Sequence, residues 1–179
     1  MTVIVAEKRV PEMTLPKEAP LPPSQMEIIK ATQPVLKAHG EAITRVFYKT
    51  MLEDNTELRN IFNAAHQAAG LQQKALAGAV LAYATYIDDL PKLHGAVERI
   101  AHKHVSLHVL PEQYPTVGKY LLAAIKTVLG DAATPEIIDA WAAAYGILAE
   151  VFIGRERELY QTHPEWNGWR KFRIAKKIP

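Results

Sequence analysis

TPEIIDAWAAAYGILAEVFIGRERELYQ, from Thr134 to Gln161, is the stretch that sets the fold class. It opens as a helix should, with a threonine cap and a proline in the first turn. Trp141, Tyr145, Leu148, Phe152 and Leu159 then recur at helical spacing and form one apolar stripe. Glu156 falls on that stripe, four residues after Phe152, whereas Glu150 points the other way. A carboxylate on a buried face must find a donor or change its protonation state. Spacing leaves two placements open for Glu156: a buried partner, or water reached near the helix end.

Outward from this stretch the helical period continues almost throughout, and strand-like alternation is scarce. Helices are predicted at roughly 24–38, 41–53, 55–62, 70–88, 92–108, 111–129 and 135–161. Pro34 should kink the first of them. Gly40, Pro91, Pro111 and the stretch from Gly130 to Pro135 punctuate the others. About seven helices of unequal length suit an irregular all-α domain better than a four-helix bundle. Before them, Pro11, Pro16, Pro20, Pro22 and Pro23 forbid regular structure, so residues 1–23 read as an extended or disordered arm that the domain can do without. Ser24, Gln25, Met26 and Glu27 fit a capping box at the start of order. The domain proper then covers 24–161, followed by a hinge-like tail over 162–179.

Composition excludes several classes. A chain of 179 residues, 49% hydrophobic and 22% charged, suits one globular domain. A net charge of +2 is too small to call for nucleic acid. No stretch reaches the roughly 18 uncharged apolar residues of a membrane span, so no transmembrane segment is expected. The apolar run after Met1 is too short for a signal peptide. The absence of cysteine excludes disulfides, thiolate-bound metal, iron–sulfur clusters and haem attached through cysteine. Such a chain is expected in the cytoplasm. There is no nucleophile elbow, no phosphate loop and no zinc-protease motif.

Two more polar residues lie on apolar faces. His104 continues the face formed by Leu93, Val97, Ile100 and Ala101, while His102 points away. His108, one turn on, is open to the same face. Each is either a hydrogen-bonded core histidine or a metal ligand. Gln72 extends the Leu76, Val80, Tyr83 and Ile87 stripe; it is either solvated in a frayed first turn or set to bond a ligand.

At these residues the sequence resembles a known family. Phe47-Tyr48-Lys49-Thr50-Met51 and Glu57-Leu58-Arg59-Asn60-Ile61-Phe62-Asn63 look like the second helix and following corner of flavohaemoglobins. Gly70-Leu71-Gln72-Gln73-Lys74-Ala75-Leu76 resembles their distal helix. Ile100-Ala101-His102-Lys103-His104-Val105-Ser106, followed by Pro111-Glu112-Gln113-Tyr114, resembles their proximal segment. Ala140-Trp141-Ala142-Ala143-Ala144-Tyr145-Gly146 and Arg155-Glu156 resemble their last helix. The match runs in order from about Leu21 to Pro179, and single-domain bacterial haemoglobins share the same motifs.

The resemblance implies a globin fold around a non-covalent, b-type haem, with His104 as the iron ligand. Tyr114 and Glu156 match the residues that hydrogen-bond near that histidine; a carboxylate there makes the imidazole more electron-donating. Tyr48 and Gln72 match the distal polar residues, donors to a dioxygen ligand that carries partial negative charge. Leu76 would narrow the space above the iron, Phe62 would pack on the haem edge, and Lys103 matches a lysine near the haem propionates. From Gly168 onward the tail looks like the hinge and first strand of a flavin domain. No site for FAD is expected within this chain.

Three functions follow from the resemblance. One is nitric oxide dioxygenation, with dioxygen and nitric oxide as ligands and a flavin reductase as electron donor. The second is oxygen storage or delivery. The third is gas sensing, which lacks an output domain.

Overall fold

The computed structural model describes residues 11–62, 67, 69–162, 168 and 171–176. Residues 1–10 of the predicted arm, Asn63 of the corner motif and much of the tail lie outside them. Among the described residues there are six α-helices and no strand: α1 Pro23–Ala31, α2 Gln33–Asp54, α3 Leu71–Thr85, α4 His94–Ser106, α5 Tyr114–Leu129 and α6 Pro135–Thr162. The helix expected over 55–62 is a single 3₁₀ turn, Thr56–Asn60.

The expected kink near Pro34 is a full break at Thr32, between α1 and α2, and the break expected at Gly40 is absent. Pro34 sits in the first turn of α2, where its missing N–H has no partner to lose. Gly40 is buried inside α2 because α3 crosses there: a Cβ on Gly40 would stand 3.3 Å from the Ala77 Cβ. The glycine is a close-approach residue, not a terminator. The capping box at Ser24 is not formed either. α1 starts at Pro23, behind Pro22, with no side-chain cap.

Residues 11–22 have no regular structure, yet they pack on the domain. Met13, Ala19 and Leu21 are buried. The Ala19 N–H donates to Ile87 O, and the Leu90 N–H donates to Lys17 O, both at 2.9 Å. Proline density prevents helix here without preventing docking.

α6 is the central helix. Ala140, Trp141, Ala144, Ala149, Phe152, Arg155, Glu156 and Leu159 are buried along it. By length and composition it could cross a membrane, the one such helix among the described residues. It packs against α1, α4 and α5, while α2 packs against α3 and α5. α3 and α4 are not in extended contact with each other. α3 is thus held against α2 and α4 against α6.

Candidate functional site

Around α4, the residues His104, Tyr114 and Glu156 marked in the sequence come together. Glu156 is 2% exposed. Its Oε1 lies 2.7 Å from His104 Nδ1 and accepts a 2.6 Å hydrogen bond from the Tyr114 hydroxyl. The Tyr114 oxygen is also 3.1 Å from His104 Nδ1. Of the two placements open for Glu156, the structure takes the buried one. Burial, and then the hydrogen bond to Glu156, push the Tyr114 phenol far above its ordinary pKa, so it stays protonated and donates.

A carboxylate oxygen can only accept, so it draws the imidazole proton to Nδ1 and leaves a lone pair on Nε2. Among the described residues Nε2 takes no hydrogen bond, and the imidazole is 30% exposed. Phe152 packs beside the ring, with centroids 5.4 Å apart. Tyr114 is held from behind by the Tyr145 hydroxyl, which donates to its carbonyl at 2.6 Å. Gly118 makes room for that phenol: a Cβ there would stand 2.5 Å from Tyr145 Cε1.

His108 is turned elsewhere. Its backbone is left-handed, with φ of 57°, just past the end of α4. The Val109 N–H then reaches back to His104 O at 3.0 Å, closing the helix end. The His108 ring meets Tyr160 edge-on, with centroids 6.0 Å apart. Lys103 is exposed beside His104.

Tyr48 of α2 is buried, its ring set edge-on to Phe47 at 4.8 Å and Phe62 at 5.5 Å. Burial pushes its phenol up to about 12. Among the described residues its hydroxyl has no hydrogen-bond partner. Gln72 and Leu76 are half-buried on α3. Tyr48 and Phe62 pack edge-on, and Gln72 accepts a hydrogen bond from Gln67.

Sequence reasoning missed Gln73 and Arg155. Gln73 is buried beside Gln72. Arg155 is buried too; its Nη1 donates to Pro11 O at 2.7 Å and to Glu158 Oε2 at 2.6 Å. Its Nε lies 2.8 Å from Glu98 Oε1, an ion pair without hydrogen-bond alignment. Arg155 thus ties the arm, α4 and α6 together. Its place seven residues after Leu148 was the available signal.

Among the described residues no three His, Asp or Glu side chains converge to hold a bare ion. A single imidazole with a free Nε2 can instead complete the coordination of a metal that arrives inside a macrocycle.

The globin family model matches residues 45–152. A flavohemoprotein of Bordetella pertussis is 58% identical over 163 residues, which is 89% of this chain and 40% of the relative. The chain thus spans about two fifths of the length of that relative. A solved bacterial globin from Campylobacter jejuni has 40% identity and a TM-score of 0.74, covering 77% of this chain and 98% of that one. An engineered carbene transferase from Rhodothermus marinus, described as a candidate nitric oxide dioxygenase, has 32% identity and a TM-score of 0.76. It covers 80% of this chain and 99% of that one.

Proposed function

This chain belongs to the globin family, and from that premise we propose that it binds haem b non-covalently through His104 and converts nitric oxide and dioxygen to nitrate. The residues fit the group. We place it in a cleft between α3 and α4: α4 carries an imidazole nitrogen without a partner among the described residues and half-buried Ile100, α3 carries half-buried Leu76, and α2 carries the buried Tyr48. With no cysteine in the chain, attachment is non-covalent.

When bound, haem supplies a redox-active iron with one face open to a diatomic ligand. The chain supplies the rest. His104 Nε2 would hold the iron. Glu156 and Tyr114 keep the proton on Nδ1 and fix the ring, and the negative carboxylate makes the imidazole a stronger donor. The Tyr48 hydroxyl and the Gln72 amide give donors on the far side, Leu76 narrows the space, and Phe62 fixes the Tyr48 ring.

The carboxylate on His104 is the observation that carries the enzymatic reading. A donating imidazole favours the oxidised metal and activation of its ligand over reversible storage. The overall reaction joins one nitric oxide and one dioxygen and takes up one electron to give nitrate. A flavin reductase supplies that electron, in keeping with the flavohemoprotein name of the relatives.

The test is nitrate yield. The haem-loaded protein, mixed with nitric oxide in oxygenated buffer beside a flavin reductase and reduced nicotinamide, should form one nitrate per electron over many turnovers. Reversible oxygen uptake with no catalytic nitrate would make it an oxygen carrier instead.

A further inference from the structure

Three glutamine side chains meet where the chain enters α3. Gln73, 7% exposed, donates from Nε2 to the main-chain carbonyl of Gln67 at 3.3 Å and to Gln67 Oε1 at 2.8 Å. Gln67 Nε2 donates in turn to Gln72 Oε1. The Thr44 hydroxyl of α2 donates to the Gln73 carbonyl at 2.9 Å and anchors this first turn.

A side-chain amide can usually be turned end for end, because its oxygen and nitrogen are nearly the same size. Here one acceptor removes that freedom. A main-chain carbonyl cannot donate, so Gln73 must present its NH₂ to Gln67 O. The same NH₂ faces the Gln67 side-chain oxygen, which puts the Gln67 NH₂ against Gln72 Oε1. Direction passes along the three amides and leaves the Gln72 NH₂ as the end without a partner among the described residues. Gln73 Oε1, buried without a partner, is the other end of the same ordered row.

We infer that Gln67 is a positioning residue that makes the distal glutamine a hydrogen-bond donor, by holding Gln72 Oε1 so that Gln72 Nε2 is the end offered to the cleft. The inference rests on the reading that the cleft holds haem with a diatomic ligand on the Gln72 side. A ligand carrying partial negative charge is held by an amide NH₂ and repelled by an amide oxygen. Without Gln67 the Gln72 amide would have no preferred end. Gln67 touches no ligand in this account; it acts through Gln72 alone.

Two substitutions separate this from a packing role. Gln67→Met keeps length and removes both polar ends. Gln67→Glu still accepts from Gln73 but cannot donate, so it should capture the Gln72 NH₂ and turn the Gln72 oxygen outward. In the haem-loaded ferrous protein with carbon monoxide as probe, a nearby donor lowers the C–O stretching frequency and a nearby oxygen raises it. Gln67→Met should raise that frequency part of the way to the Gln72→Leu value, and Gln67→Glu at least as far as that value. Oxygen dissociation should quicken by about tenfold, the worth of one such hydrogen bond. In a Gln72→Leu background, Gln67→Met should move neither observable.

If Gln67→Met is silent while Gln72→Leu shifts the stretch, the positioning role of Gln67 is overturned and the haem reading stands. The role is equally overturned if Gln67→Met shifts the stretch just as far when Gln72 is already leucine. If Gln72→Leu is itself silent, the distal reading of Gln72 falls and the inference falls with it.

Discussion

Glu156 Oε1 lies 2.7 Å from His104 Nδ1, although 52 residues separate them in the chain. The pair joins α6 to α4, with the carboxylate 2% exposed. A carboxylate so placed is screened less by water than one on the surface, so it acts strongly on the imidazole. The functional account depends on that contact.

His104 and His108 should behave differently when removed. His104→Ala should lose haem or leave it weakly held, because it deletes the Nε2 that the cleft offers. His108→Ala should keep the haem absorption band, because that ring packs on Tyr160. Reconstitution of each variant with haem, followed by absorbance and transfer of haem to an acceptor protein, checks this. A normal band in His104→Ala beside a lost one in His108→Ala would reverse the assignment.

Deleting residues 1–19 should destabilise the domain. The cut removes the buried Met13 and Ala19, three main-chain hydrogen bonds and the Pro11 carbonyl on Arg155. Burial of one such methionine is worth about 1.5–3 kcal/mol, and each hydrogen bond about 1 kcal/mol. For a domain of this size a loss of roughly 3 kcal/mol lowers the midpoint by about 6–12 °C. A thermal melt that moves by less than a few degrees would show that the docked arm contributes nothing.

Stability should fall steeply in alkali. Burial raises the phenols of Tyr48 and Tyr160 to about 12 and pushes those of Tyr83, Tyr114 and Tyr145 higher still. A tyrosine in the unfolded chain ionises near 10, so above that pH the unfolded state binds fewer protons than the native one. The stabilisation is complete below about pH 10 and is lost as pH rises through about 12. Tyrosinate absorbance from these five residues should therefore appear together with loss of helical circular dichroism. Full ionisation near pH 10 in a protein that is still helical would contradict the burial.

Much of this was legible in the sequence, and the exceptions share a cause. The stripe along α6 and the polar residues upon it could be read because helical period fixes which side chains share a face. His104, Glu156 and Gln72 stood out as polar groups on apolar faces. Gly40 was misread as a break because its role depends on Ala77, a residue of another helix. The docking of the arm depends on Ile87, Leu90 and Arg155, all distant in the chain. Gln73 drew no reading of its own, because its burial depends on Thr44 and Gln67, a residue of another helix and one of the preceding loop. Local pattern shows what a residue needs, and long-range contact decides how the need is met.

The most direct test is the iron–histidine stretching frequency of the deoxy, haem-loaded protein, measured by resonance Raman in the native protein and in Glu156→Gln. Glutamine keeps the shape of the side chain and removes its charge, so the imidazole becomes a weaker donor. The account predicts that the frequency falls and that the ferric/ferrous potential rises with it. An unchanged frequency and potential, in a variant that still binds haem, would contradict it.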